Sequence, residues 1–171
     1  MENENKAYIS LLCDHLKRFT SRLREIPADK WAWQPNPPSP SAKILAIHAW
    51  QWLICDRMHI MQADISLHPR VPNAPEDQQA LCDALAAETE NWREMLANLT
   101  PHQFSETRYQ FGELDHEMNI RSFICHMIQN TIYKHGQFST LYFMLGLDGE
   151  EPYTAPLPNP YYQHVFGDKF T

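Results

Sequence analysis

The sequence predicts an all-α fold, a four-helix bundle with a proline- and aromatic-rich C-terminal tail. Three observations predict it. Four stretches carry apolar residues at three- and four-residue spacing, the period of an amphipathic helix. Proline-rich or irregular segments separate them. The chain has only five glycines against five tryptophans, seven tyrosines and eight phenylalanines, which suits packed helices better than a turn-rich β protein. With 171 residues, a single domain with a substantial core is expected. It spans residues 1–171, with the bundle over about 4–146 and the tail over 147–171.

The first helix is expected from Glu4 to Ile26, where Tyr8, Ile9, Leu12, Leu16, Phe19, Leu23 and Ile26 form one stripe. Pro27 stops it, and the five prolines of PADKWAWQPNPPSPS make the next segment a loop. Trp31 and Trp33 are expected to pin that loop to the bundle. A second helix starts near Ser39 or Ser41, a suitable N-cap, and runs to about Ser66; Pro69 and Pro72 bound the loop after it. The third begins at Pro75–Glu76–Asp77, with proline and acids in the first turn, and runs to about Leu99. Residues 101–117 read as irregular, with a short extended piece at Thr107 to Phe111. The fourth helix starts at Met118 or Asn119 and ends at Leu145, where Gly146 supplies the C-cap. The tail from Asp148 carries four prolines, three tyrosines and two phenylalanines, too aromatic for a floppy terminus. It is expected to dock on the bundle or on a partner subunit.

Composition narrows the partners. A net charge of −7 argues against nucleic acid and anionic membrane, which need a basic surface. The apolar runs are short and interrupted, so no transmembrane span is expected, and MENENKAYIS lacks a signal-peptide pattern. A cytoplasmic protein is the expectation. Cys13, Cys55, Cys82 and Cys125 are too dispersed for a CxxC pair and read as four small buried residues within helices of a protein in a reducing cytoplasm.

The informative residues emerge from the helical phase of HMIQNTIYKHGQF, His126 to Phe138. At about 100° per residue, with His126 at zero, Asn130 falls near 40° and Lys134 near 80°. Both lie inside the apolar stripe of Phe123, Met127, Phe138, Leu141 and Leu145, and His126 lies at its edge. His135 falls on the other side, about 180° away, and cannot share a point-like site with His126. On the second helix, His48 lies in the core-facing stripe, with Trp52 and His59 within about 40° and Cys55 close by. His59 is expected to line the helix end. His15, His68, His102, His116 and His164 suggest no role. A buried polar group costs free energy unless paired, and a buried lysine costs more or loses its proton. Three such residues on two helices that face each other point to a polar pocket between them, lined by His48, Trp52, His126, Asn130 and Lys134.

Two motifs, WAWQPNPPSPSAKILAIHAW and IYKHGQFSTLYFMLG, resemble the Trp/Pro loop with its following His-bearing helix, and the closing helix, of the DinB/YfiT-like superfamily. The resemblance covers most of residues 5–147. It implies a four-helix bundle, commonly a homodimer, in which many members hold nickel or zinc with three histidines. One of those histidines lies on the second helix; the other two lie four residues apart on the fourth, ahead of a Gly-Gln pair. His48 matches the first histidine and Gly136–Gln137 the pair. The two remaining ligand positions fall on Asn130 and Lys134, which depart from the pattern. His126 sits one turn earlier, and His48 with His126 is the remaining candidate metal pair. An Asn amide oxygen is a poor ligand for zinc or nickel, and a protonated lysine brings positive charge where the ion would sit.

Three functional readings follow, with catalytic residues unassigned. The first is a metal-free or weakly metal-binding protein without a cofactor, whose pocket takes a small anion such as a carboxylate or the thiolate of a low-molecular-weight thiol. The alternative is a divalent-metal-dependent thiol S-transferase or related metalloenzyme. The third is a stress-response or interaction homodimer without small-molecule chemistry.

Overall fold

The computed structural model of the protein describes residues 2–62, 64, 66–110 and 117–147. The described chain is a four-helix bundle whose first helix comes in three continuous pieces: α1 (Glu2–Ile9), a π segment (Ser10–Asp14) and α2 (His15–Arg24). The π segment departs from the single regular helix expected over 4–26. It joins its neighbours with right-handed helical dihedrals at Ile9 and His15 and buries Leu12 and Cys13 side by side. A π turn takes an extra residue and rephases the apolar stripe, and no breaker announces it in the sequence.

The other three helices are α3 (Ala42–Met61), α4 (Gln78–Asn98) and α5 (Ile120–Met144). Each starts on a side-chain cap that accepts an otherwise unpaired amide. Ser41 accepts from Ile44 N–H at 3.2 Å, Asp77 from Ala80 at 2.8 Å and Asn119 from Ser122 at 2.9 Å. Asp77 is therefore the cap of α4, where the sequence reading placed it inside the first turn. Behind α5, Gly146 takes φ +68°, the left-handed conformation that glycine adopts at a helix C-terminus at least cost.

The second helix was expected to reach Ser66 but α3 stops at Met61. Gln62 turns extended while its N–H still bonds Met58 O at 2.9 Å. Its side-chain amide then donates to Leu67 O at 3.0 Å and Arg108 O at 3.1 Å, which folds the following loop back over the helix end. The extended piece expected at 107–111 is β1 (Thr107–Gln110). It pairs antiparallel with β2 (Glu117–Asn119), a partner not foreseen. Arg108 ties this hairpin to the end of α3 by donating to Ile60 O at 2.9 Å. Phe111 and the tail from 148 onward lie outside the described residues.

α3 packs against α4 on one side and α5 on the other. Trp92 of α4 is fully buried and donates its indole N–H to Leu53 O at 2.9 Å. Arg57 makes a forked contact with the buried Glu88. Side chains also close helix ends. Asn5 donates to Leu96 O and Leu99 O at 2.7 and 2.8 Å, and Gln78 to Leu23 O and Ile26 O at 3.0 and 2.9 Å. Trp31 is buried and Trp33 half-buried against the core, so the Trp/Pro loop is pinned as the sequence suggested. Cys13, Cys55 and Cys82 are buried as expected, but Cys125 is exposed, on the face of α5 turned away from the core. No described helix is long and apolar enough to cross a membrane.

Candidate functional site

Chemistry-bearing side chains gather along the line where α3 and α5 face each other. The two helices run antiparallel in one register. The His59 ring stacks on Phe123 with centroids 4.9 Å apart. One turn toward the α3 N-terminus, Asp56 meets His126, and Trp52 stands edge-on to His126 at 5.1 Å. At the far end His48 feels the charge of Lys134.

Asp56 is 1% exposed, and its Oδ2 lies 2.6 Å from His126 Nδ1. The carboxylate raises the His126 pKa above its ordinary 6.5, against the opposing effect of burial. Burial pushes Asp56 upward, partly offset by His126. The buried carboxylate thus orients the His126 ring through Nδ1, the arrangement of histidines that move protons in enzymes.

Trp52 separates His126 from His48. Its indole N–H donates to His48 Nε2 at 2.7 Å, so His48 accepts there as a neutral ring. Burial and the nearby Lys134 both lower the His48 pKa. His48 is exposed at the rim, not in the core stripe expected of it, because the stripe at this end is filled by Leu45, Ala46 and Ala49. Lys134 is 8% exposed and its Nζ lies 5.3 Å from the Tyr133 ring centroid. Burial lowers its pKa. Among the described residues it has no carboxylate partner. One turn away, half-buried Asn130 has a fully buried Oδ1 that accepts no hydrogen bond from the protein.

The three-ligand set implied by the family resemblance does not fit a divalent cation. Its members are a neutral imidazole already engaged by Trp52, an amide oxygen and a buried ammonium. Soft nitrogen and sulfur donors hold zinc and nickel well, amides weakly and ammonium not at all. His48 and His126 share the groove, with Trp52 between them and Asp56 on His126 Nδ1.

A second cluster lies at the other end of α3, where the sequence reading gave His68 no role and His59 only a place at the helix end. Cys55, His59 and His68 place one ligand atom each within 4.8 Å of one another. His59 Nε2 and His68 Nδ1 are 3.1 Å apart. Gln62 Nε2 holds the other His59 nitrogen at 3.1 Å. Phe123 and Tyr109 enclose the His59 ring. His59 is held down to about 4 by burial and by His68, and burial pushes the Cys55 thiol up to about 11. The Cys-x-x-x-His spacing on one helix face was visible in the sequence. The return of His68 was not, since it depends on α3 ending at Met61.

The chain matches the family model for the DinB superfamily over residues 12–138. A search of curated proteins found no match. Two solved structures share the fold. A DinB-like protein from Bacillus subtilis, YjoA, superposes with a TM-score of 0.65 at 17% identity, over 85% of this chain and 95% of that one. YfiT from Bacillus subtilis, described as a probable metal-dependent hydrolase with an unusual four-helix bundle topology, gives 0.68 at 9% identity, over 86% and 91%. With the family model covering most of the bundle, this chain belongs to the DinB superfamily.

Proposed function

We propose that this DinB protein binds a small organic anion in the groove between α3 and α5, with Lys134 as its anchor. One observation carries the reading: Lys134 is buried without a carboxylate partner among the described residues, beside a buried, unbonded Asn130 Oδ1. A buried ammonium is stable when an opposite charge joins it. The unbonded oxygen asks for a donor. A ligand bearing one anionic group and one O–H, N–H or S–H donor satisfies both residues, which suits a small hydroxy or amino acid or a low-molecular-weight thiol. His48 and Trp52 form the rim, and the His126–Asp56 pair lies along the same groove.

A thermal-shift screen of small carboxylates and thiols tests this. Stabilising ligands are expected for the wild type, and Lys134→Met is expected to abolish their effect while itself raising the melting temperature. Equal shifts in both proteins would end the anion reading.

The His126–Asp56 pair favours a second reading, a metal-dependent hydrolase or thiol S-transferase, in line with the description of YfiT. There His126 passes a proton to or from the substrate, and the nickel or zinc that the family resemblance implies is held elsewhere than on His48, Asn130 and Lys134.

A further inference from the structure

We propose that Cys55, His59 and His68 form a zinc-class metal site, separate from the position the family resemblance assigns to a metal. The proposal stands on the donor set and its geometry, and does not rest on the anion reading. One soft sulfur and two imidazole nitrogens are the donors that select zinc and its neighbours. Around a tetrahedral zinc with Zn–N of about 2.0–2.1 Å, two ligand nitrogens lie roughly 3.3 Å apart. His59 Nε2 and His68 Nδ1 already lie 3.1 Å apart, so an ion replaces the proton they share with little movement. The sulfur lies within 4.8 Å of both, so it closes by at most about 1 Å to reach its ligand distance.

The surroundings hold these ligands in place. Cys55 and His59 are one turn apart on a rigid helix and both are buried. Gln62 contacts the second nitrogen of His59 and bonds Leu67 O, the residue before His68. His68 is exposed, so solvent reaches the ion from that side and the fourth position is left to water. Three protein ligands with one open position is the pattern of a site that can act on a substrate. Asp56 follows Cys55 directly in sequence and feels the charge of His68, which brings the His126–Asp56 pair to the edge of the site.

Cobalt(II) titration of the full chain tests the assignment. One equivalent is expected to bind, with tetrahedral d–d bands and a thiolate-to-cobalt charge-transfer band, and zinc is expected to displace it. Cys55→Ser removes the charge-transfer band. His68→Ala, at an exposed loop position that leaves the core intact, weakens binding by at least about tenfold. His48→Ala leaves both readings unchanged. The proposal is overturned if the wild type shows no charge-transfer band or the band survives Cys55→Ser. It also fails if binding follows His48 instead of His68.

Discussion

At the residue scale, the groove between α3 and α5 is defined by polar side chains held on inward helix faces: the buried Lys134 and Asp56, and the half-buried Asn130. Asn130 and Lys134 were legible because a fixed rotation per residue places them among apolar neighbours, and Lys134 is indeed buried. Asp56 carried the same signal, falling about 80° from His48 within the inward stripe, yet it was read past in favour of the histidines. The structure makes it the partner of His126. His135 shows a different effect. It is 1% exposed, against Phe19 and His15 of α2, and burial together with His15, Arg18 and Arg22 holds it down to about 4. Its folded pKa lies below the ordinary 6.5 of the unfolded chain. The resulting stability is therefore complete above 6.5 and is lost as pH falls toward 4. His135→Phe is expected to flatten the urea-unfolding free energy across that window, removing up to about 3 kcal/mol of acid sensitivity. Parallel wild-type and variant curves would show that other groups set the acid limb.

At the element scale, the helices were legible because each has physical punctuation. Ser41, one of the two serines the sequence offers as N-cap, and Gly146 both act at helix ends. Elements without punctuation were missed. The π segment follows from how α1 and α2 share the burial of Leu12 and Cys13, a tertiary demand with no local residue code. The second strand, Glu117–Asn119, is too short to show an alternating pattern. The early end of α3 depends on Gln62 reaching across to Arg108 of the hairpin, a contact 46 residues away in sequence. That end also brings His68 back to His59, which is why the second cluster was invisible beforehand. The caps make a direct prediction at this scale. Asp77→Ala is expected to cost about 1 kcal/mol in denaturant unfolding, with Asp77→Asn largely retaining stability. Equal losses for both would mean that the charge near the helix dipole, rather than the cap hydrogen bond, matters.

At the scale of the whole molecule, the bundle brings two dissimilar sets of side chains to opposite ends of one helix pair. At one end are a cation and an orphaned oxygen; at the other are a thiol and two imidazoles. The His126–Asp56 pair lies between them. His59 and His48 are eleven residues apart on α3, roughly 16 Å along the axis. A ligand anchored on Lys134 and an ion on Cys55, His59 and His68 therefore do not compete for the same space. Four-helix bundles build sites from inward side chains on facing helices, and the anion anchor proposed above, the buried Lys134, is one such side chain.

The most direct measurement of that central claim is an NMR titration of the Lys134 Nζ, assigned by comparison with Lys134→Met. Without ligand, its pKa is expected below the ordinary lysine value of 10.5, as burial dictates. Adding a stabilising small carboxylate is expected to raise it, because the bound anion favours the charged ammonium. A Lys134 that titrates like a surface lysine, or one that no stabilising anion moves, would contradict the account.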